Sequence, residues 1–339
     1  MIYIAILCSL FLPLQLFPAM FHHILDHLEE QATTYQWEQP SDTPFDELII
    51  SWYADRPSNG HYAIYASIKV DENWSPWLPY ALWGTDFQQT FDSGNDFFIR
   101  SYQDVVSVGE GKKGSAFRIQ IRAEDGASLN DFHRLHVSAT DLSQFSPDLP
   151  TFICEKSVSR FPVPLISQMA LSDPRNKRLC SPTSATALVN FYNKDTASNA
   201  IDFAEKVYDK RWNIFGNWVF NVAQASLLLG KNYICYVERI ENLTDIFSHI
   251  PVVISIKADL PNGAVPYSKS GHLLVVAGYD NDRQSFNCMD PAFQTNQDTA
   301  VDYQAVDLLP AWNCSKRIAY VIFPCSDPDK WCASHTASR

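Results

Sequence analysis

Short apolar runs alternate with turn-forming residues between positions 45 and 140. The runs read LIISWYA, HYAIYASIKV, AFRIQIRAE and HRLHVSAT, and proline, glycine, asparagine and aspartate residues separate them. Because successive side chains of a strand point to opposite faces, one face of the second run carries Tyr62, Ile64, Ala66 and Ile68. Several short strands spaced by turns are typical of a β-sandwich. We therefore predict an all-β sandwich domain over residues 41–145.

The pattern changes after residue 160. Apolar residues recur at helical spacing over 181–193 and 217–229. Four later runs are short, apolar and strand-like, at 251–258, 272–279, 284–290 and 317–323. Helices that come first and strands that come later favour an α+β domain over a doubly wound sheet. We predict such a domain over residues 160–325, with its own core, joined to the sandwich by a proline-containing linker at 141–161.

The first twenty residues contain no charged side chain. Such a stretch indicates a cleaved signal peptide, and an uncleaved anchor is the alternative because about 20 apolar residues can span a bilayer. Residues 1–20 therefore predict an exported protein, which is membrane-associated if the segment is retained. The next segment, 21–31, has the spacing of a short amphipathic helix. His23 and His27 stand four apart on it, but without a third ligand nearby a surface position is favoured over a metal site.

The amino-acid composition and net charge exclude some classes of function. Hydrophobic residues make up 46% of the 339 residues and charged residues 19%, which is the balance of a folded protein. The formal net charge is -12 and the cationic residues are scattered, which argues against nucleic acid as a partner. Eight cysteines without a CxxC pair are too few for a disulfide framework and show no zinc pattern, so no metal or cofactor is expected.

Two sets of residues leave alternatives open. One set consists of four tryptophans, which are typical of a sandwich core but could also form a stacking platform for a sugar or peptide: Trp52, Trp74, Trp77 and Trp83. The other set consists of four cysteines that could form a disulfide clasp or remain free thiols: Cys154, Cys314, Cys325 and Cys332.

Cys180 immediately precedes a predicted helix. The segment LCSPTS leads into ATALVNFY, in which apolar residues recur at helical spacing. Ser181 can serve as the N-cap, and Pro182 fits the first turn, where its missing N–H costs nothing. The unpaired N–H groups and the positive end of the helix dipole favour a thiolate there, as do the nearby cations Lys177 and Arg178. Cys180 is therefore a candidate nucleophile, and a small buried core cysteine is the alternative.

His272 begins a second motif, which reads HLLVVAGYDNDRQSFNCMDP. Its first part is typical of a buried strand, DND of a turn, and Pro291 ends the next strand. If Tyr279 to Arg283 form the turn, His272 lies directly across from Asp290. Opposed residues of an antiparallel pair have Cβ atoms about 5 Å apart, so the carboxylate can accept a hydrogen bond from the imidazole. A slip of one residue would remove this pairing.

A third motif, VPLISQ, ends at Gln168, upstream of Cys180. A side-chain amide can donate a hydrogen bond to the oxyanion that forms when a thiolate attacks a carbonyl. Alone, Gln168 is an ordinary polar residue.

The order of these motifs resembles that of a known family. Taken together, VPLISQ, CSPTSATALVNFY, PVVISI, SGHLLVVAGYD and NCMDP are similar to the C39-like cysteine peptidases of the papain-like clan. The resemblance covers about residues 160–325 and implies a papain-like α+β fold. The chain also resembles a two-domain bacterial form, in which a β-rich module with phrases such as FDELIISW and WSPWLPYALWG precedes the peptidase-like domain. This likeness implies a bacterial, exported protein.

The resemblance also implies roles for individual residues. It makes Cys180 the nucleophile, His272 the general base and acid, Asp290 the residue that orients His272, and Gln168 the oxyanion donor. The family usually has glycine after the cysteine, whereas this chain has Ser181. The expected activity is thiol-dependent hydrolysis of peptide or amide bonds in a peptide or protein substrate. An acyltransferase, deamidase or isopeptidase could use the same residues, and an inactive binding protein is the third class.

Overall fold

The computed structural model describes residues 19–25, 32–94, 98–109, 111–144, 156–240, 243, 246 and 249–325. Those residues form eighteen strands in three six-stranded antiparallel sheets, together with four α-helices. None of these helices is long and apolar enough to cross a membrane. Residues 1–18 of the predicted signal or anchor segment lie outside the described residues. Most of the predicted linker also lies outside them.

Twelve strands build the N-terminal half. They are β1 (Ala19–Ile24), β2 (Thr34–Phe45), β3 (Glu47–Ala54), β4 (His61–Val70), β5 (Asn73–Trp74), β6 (Leu78–Gly84), β7 (Gln89–Thr90), β8 (Asp92–Gly94), β9 (Ile99–Tyr102), β10 (Val105–Val108), β11 (Gly114–Glu124) and β12 (Phe132–Thr140). One sheet has the order β1-β12-β3-β10-β9-β8, and the other has the order β2-β11-β4-β6-β7 with β5 beside β4. Inward side chains of both sheets belong to one buried cluster, so the sheets pack face to face.

The four apolar runs of this half are strands, as predicted. They correspond to β3, β4, β11 and β12. The inner face predicted for β4 is no more than 1% exposed at any of its four positions, Tyr62, Ile64, Ala66 and Ile68. The prediction of an all-β N-terminal region is therefore confirmed for the residues that the structure describes.

The N-terminal segment forms a strand where the sequence predicted a helix. Residues 19–24 pair with β12 along the edge of the first sheet, so the helix predicted at 21–31 is wrong for its first part; residues 26–31, including His27, lie outside the described residues. Met20 and His22 are buried at alternate positions. The unpaired backbone groups at the edge of β12 outweigh the weak helical preference of so short a segment.

The polar stretch around Pro40 and Pro44, where the sandwich was expected to begin, is itself part of strand β2. This strand pairs only with β11, at the edge of its sheet. An edge strand tolerates proline because its outer N–H groups have no partner to lose. Next to it, His23 stacks on Trp37 with ring centres 4.7 Å apart and bonds to Tyr35, so this histidine has structural contacts.

The C-terminal half contains the remaining elements. They are α1 (Cys180–Tyr192), α2 (Ala200–Val207), α3 (Trp218–Leu229), β13 (Tyr233–Arg239), β14 (Val252–Ile256), β15 (His272–Asp280), β16 (Ser285–Met289), β17 (Ala300–Gln304), α4 (Ala305–Asn313) and β18 (Ile318–Pro324). The sheet has the order β13-β18-β14-β15-β16-β17. Helix α1 packs on β14 and β15, and α3 packs on α1 and β13. The helices and strands predicted here are confirmed, with small shifts at their ends.

Helix α3 joins the two halves. Its sequence, WVFNVAQASLLL, is largely apolar on every side, which is typical of a buried helix, and residues 219–226 are buried. It contacts β3 of the N-terminal half as well as α1 and β13. Phe220 lies against Trp52 and Trp83, with ring centres 6.0 and 5.9 Å away. One buried cluster therefore runs through both halves, which the sequence did not predict. A second cluster, on the other side of the C-terminal sheet, is almost entirely C-terminal, as the prediction of a core in that half requires.

The alternative prediction, that four tryptophans form a stacking platform for a ligand, is wrong for two of them. Trp52 and Trp83 are fully buried. Trp74 and Trp77 are half-buried and both contact Arg118, whose guanidinium carbon lies 4.2 and 4.8 Å from their ring centres. Trp52 and Trp83 therefore belong to the core, and the stacking alternative stays a prediction for Trp74 and Trp77.

Phe220→Ala tests the shared core. Because the change removes contacts with both buried tryptophans, we expect the free energy of unfolding to fall by about 3–5 kcal/mol. We also expect both halves to unfold in one cooperative transition, as measured by tryptophan fluorescence and far-UV circular dichroism in urea. Leu228→Ala, on the 36% exposed side of the same helix, should cost about 1 kcal/mol or less. Two separate transitions in the wild-type protein would contradict a shared core.

Candidate active site

Helix α1 begins at Cys180, the predicted nucleophile. Thr183 donates the first helical hydrogen bond, to the Leu179 carbonyl at 2.9 Å. The N–H groups of Cys180 and Ser181 therefore have no acceptor within the helix. No side chain caps this helix start, so its partial positive charge is available to a thiolate or an oxyanion.

Ser181 does not cap the helix, so that prediction is wrong. Its hydroxyl is paired with the Tyr320 hydroxyl at 2.8 Å, and the residue is fully buried. The side chain points into the core against β18. The serine that stands where the family usually has glycine therefore does not crowd the cleft beside Cys180.

His272 is the first residue of β15. It is buried, and its backbone pairs with Ile256 on β14. Gly271, just before it, has a φ of +71°, a left-handed conformation that glycine adopts without strain. The hydroxyl of Ser184 in α1 donates to the Leu273 carbonyl at 3.1 Å. This contact holds the start of α1 beside the start of β15.

His272 and Asp290 meet, although the register predicted for them is wrong. Nε2 of His272 lies 2.7 Å from Oδ1 of Asp290. The hairpin pairs Val275 with Met289 and contains a bulge between Val276 and Gly278, so Asp290 is not directly opposite His272. The pairing next to His272 differs from the predicted one by two residues. A shift of two keeps both side chains on the same face, and diagonal neighbours on one face remain within reach of each other.

Asp290 is fully buried and has four hydrogen-bond donors. Tyr267 and Tyr303 each donate to Oδ2 at 2.6 Å. His272 and the N–H of Ala292 reach Oδ1 at 2.7 and 2.9 Å. Tyr267 also stacks on the imidazole, with ring centres 4.2 Å apart and planes 6° from parallel. The two tyrosines therefore fix the carboxylate, and Tyr267 also fixes the plane of the imidazole.

Sequence reasoning missed both tyrosines. Tyr267 lies in the loop before β15, and Tyr303 lies in β17, the neighbour of β16. No spacing rule connects either residue to Asp290. The available signal was chemical, because a buried carboxylate needs several donors and hydroxyl side chains supply them.

The electrostatics of the site favour a thiolate and an imidazolium. Burial acts to raise the pKa of the Cys180 thiol, but the hydrogen bond and charge of His272, with the N–H groups of Leu273 and Ser181, outweigh it and lower that pKa. Burial acts to lower the pKa of His272, but the charge and hydrogen bond of Asp290, with those of Cys180, raise it. Because Nε2 bonds to Asp290, Nδ1 is the ring nitrogen left to interact with the sulfur.

Burial likewise acts to raise the pKa of Asp290, yet the charge and hydrogen bond of His272 and the two tyrosine hydroxyls hold it below its usual range. Asp290 is therefore a carboxylate near neutral pH. It stabilises the proton on His272, which in turn stabilises the thiolate.

A half-open cleft of about 890 Å³ has Cys180, His272 and Gln168 in its lining. Asp290 lies behind His272. Gln168 is buried, and its Nε2 donates to the Asn176 carbonyl at 2.9 Å, which uses one of the two N–H groups of the amide. Thus three of the four predicted site residues line one cleft and the fourth supports it. Within the described ranges, no group of three or more His, Cys, Asp or Glu side chains is arranged to hold a metal ion.

The other described cysteines differ from Cys180. Burial raises the pKa of Cys235 to about 12 and that of Cys288 well above its ordinary value. Cys314 is exposed and Cys325 half-buried, and both are free thiols. The clasp predicted as one alternative therefore does not join these two residues, whereas Cys154 and Cys332 lie outside the described residues.

Residues 161–320 match the model of the Peptidase_C39 like family. The match spans the elements from α1 into β18 and includes all four predicted site residues. The β-rich N-terminal half lies outside it. No curated protein matches the chain.

Asp290→Asn tests the electrostatic chain from Asp290 to Cys180. The change removes the negative charge beside His272, so the pKa of His272 should fall and that of Cys180 should rise. We expect the rate of Cys180 alkylation by iodoacetamide near about pH 6 to fall about tenfold for each unit of that rise. Asp282→Asn, in the exposed turn of the same hairpin, should leave the rate unchanged. Equal slowing by both variants would show that general charge, not Asp290, controls the thiol.

Tyr303→Phe tests the support of the buried carboxylate. At neutral pH we expect a loss of about 1.5–3 kcal/mol in the free energy of unfolding, because a hydrogen bond to a charged group is removed. The folded pKa of Asp290 is depressed, so its stabilising contribution is present above an unfolded pKa of about 3.9 and is lost as the pH falls through the folded pKa. Urea unfolding at several pH values should show the effect of Tyr303→Phe shrinking in acid; a pH-independent effect would contradict this origin.

Proposed function

Residues 161–320 belong to the Peptidase_C39 like family, and from this premise we propose that the chain is a cysteine peptidase that hydrolyses peptide or amide bonds through an acyl-enzyme. One observation carries the proposal. Cys180, at the open N-terminus of α1, interacts with His272, whose other ring nitrogen is held 2.7 Å from the buried carboxylate of Asp290. Such a thiolate is a nucleophile at neutral pH.

In the first step the thiolate of Cys180 attacks the carbonyl carbon of the substrate, and the carbonyl oxygen becomes an oxyanion. The imidazolium of His272 then donates its proton to the leaving amine nitrogen as the carbon–nitrogen bond breaks. Asp290 keeps the imidazole oriented throughout and remains ionised. The products of this half-reaction are a free amine and a thioester on Cys180.

In the second step neutral His272 takes a proton from water, and the oxygen attacks the thioester. The tetrahedral intermediate collapses, the carbon–sulfur bond breaks, and the carboxylic acid product leaves. The thiolate and the imidazolium are then restored, so no proton or electron is gained or lost over the cycle.

We assign the oxyanion to the N–H of Cys180 and the amide of Gln168. The N–H of Cys180 has no acceptor within α1, and Gln168 retains a second N–H after donating to Asn176. The backbone N–H of Gln168 donates to the Pro291 carbonyl at 2.8 Å. Because Pro291 directly follows Asp290, the amide donor and the carboxylate are tied to one backbone segment.

Two further assignments extend the proposal. A papain-like arrangement is supported by α1, which carries the nucleophile and packs on an antiparallel sheet whose strand β15 starts at His272. Export is supported by the uncharged first twenty residues.

The proposed activity is tested by incubating the full chain with a fluorescently labelled unfolded protein and identifying new termini by mass spectrometry. We expect fragments with free carboxyl termini from the wild type and none from Cys180→Ala. Fragments that appear equally with Cys180→Ala, or a wild type that releases none, would contradict the proposal.

Gln168→Ala separates an oxyanion role from a merely structural one. Removing an oxyanion donor should lower kcat for peptide hydrolysis by about 10²–10³. Alkylation of Cys180 by iodoacetamide forms no oxyanion, so its rate should stay within about twofold of the wild type. Gln284→Ala, in the exposed turn after β15, serves as the control for loss of an amide. If Gln168→Ala slows both reactions equally, Gln168 positions Cys180 and does not stabilise the oxyanion.

A further inference from the structure

The N-terminal half supplies one wall of the cleft. Six residues of the β9–β10 hairpin line it, namely Arg100, Tyr102, Gln103, Asp104, Val105 and Ser107. The turn of this hairpin is fixed, because the Asp104 carboxylate accepts a hydrogen bond from the Trp218 N–H at 3.0 Å, at the start of α3. The Tyr80 hydroxyl also donates to the Asp104 carbonyl at 2.7 Å. A substrate bound at Cys180 therefore lies between this hairpin and the C-terminal half.

The cleft is cationic although the chain is acidic. Six lining side chains are cations, namely Arg100, Lys177, Arg178, Arg239, Lys257 and Lys316, whereas two are carboxylates, Glu47 and Asp104. The whole chain has a formal charge of -12. Fields from charges that line a concave site add up and select ligands of the opposite sign.

Both carboxylates of the lining are already engaged. Glu47 is buried, forms an ion pair with Arg239 and lies 2.6 Å from Nζ of Lys316. Burial raises the pKa of Asp104 to about 8, so it adds little negative charge at neutral pH. Arg100 is paired with Asp92, a carboxylate outside the lining. Within the described residues, the lining cations that no carboxylate pairs are therefore Lys177, Arg178 and Lys257.

Lys177 and Lys257 are the cations best placed to meet a substrate. Both are exposed, and within the described part of the chain the structure pairs neither with a carboxylate. Lys177 lies in the short helical turn just before Cys180. Lys257 follows Ile256, whose backbone pairs with His272. Lys177 is thus close in sequence to Cys180. Lys257 is next to Ile256, the residue that pairs with His272.

We propose that the substrate of this site is a polypeptide segment with acidic side chains flanking the bond to be cleaved, and that Lys177 and Lys257 recognise them. The proposal rests on the proposed peptidase function for the identity of the reaction, while the charge preference of the cleft stands by itself. Complementary charge raises the association rate and rejects partners of the wrong sign.

The test measures binding and cleavage separately. Two pools of short fluorescein-labelled peptides share a randomised neutral scaffold and differ only in carrying either glutamate or glutamine. Fluorescence anisotropy with the Cys180→Ala protein gives the affinity of each pool, and kcat/KM with the wild type gives its cleavage. We expect the glutamate pool to bind and to be cleaved about tenfold better, with the preference shrinking as salt is added.

Lys177→Gln and Lys257→Gln should each reduce this preference about threefold, the effect of one exposed charge pair, so that together they account for the tenfold preference. Lys194→Gln, at an exposed lysine in the loop after α1 and outside the cleft, should leave it unchanged. A glutamate preference that survives in both cleft variants would overturn the roles of Lys177 and Lys257. Equal binding of the two pools would overturn the proposed substrate class.

The two proposals fail differently. If the glutamate pool binds preferentially but neither pool is cleaved, the acidic-ligand site stands and the peptidase function is wrong for such ligands. If both pools are cleaved equally by a Cys180-dependent reaction, the peptidase function stands and the acidic preference is wrong.

Discussion

The burial of helix α3 is the constraint on which the arrangement of this protein depends. Its residues 219–226 are buried, and they contact β3 of the N-terminal half as well as α1 of the C-terminal half. Neither half covers the helix by itself. Since each Å² of apolar surface removed from water contributes roughly 25 cal/mol, separating the halves would expose Phe220 and the two tryptophans beside it at a large cost. The β-rich half is therefore a structural part of the unit that holds Cys180.

The position of α3 also determines the shape of the cleft. Its N-terminus binds Asp104 in the turn of the β9–β10 hairpin, and its flank packs on α1, which begins at Cys180. One helix thus fixes both Cys180 and the wall opposite the C-terminal half. The cationic lining is assembled from both halves for the same reason, and a C-terminal fragment would lack the Arg100 and Tyr102 side of the cleft.

The largest electrostatic cost of folding this site is the burial of the Asp290 carboxylate. An isolated buried carboxylate is strongly unfavourable, and removing one partner of a buried ion pair is costly because the other charge is left unpaired. Here four donors, one of which is the imidazolium of His272, compensate the charge, and the carboxylate then holds the proton that favours the thiolate. Stability and reactivity consequently depend on the same contacts, so loss of a tyrosine that only supports Asp290 is expected to affect both.

The sequence by itself determined the local elements and the chemistry they carry. Backbone geometry and short spacing predict three features: the alternating burial in β4, the helix start at Cys180, and a shared face for His272 and Asp290. An error of two residues in the register does not change the face on which a side chain lies. Only the tertiary structure decided the features that depend on long-range contacts. Strand β1 forms because the edge of β12 is open to pairing, and α3 is shared because both halves cover it. Tyr267, Tyr303 and Lys257 lie at the site because of the tertiary fold, and no local sequence pattern predicts their positions. The positions of these residues depend on packing between segments that are distant in sequence. The spacing of residues along the chain does not predict that packing.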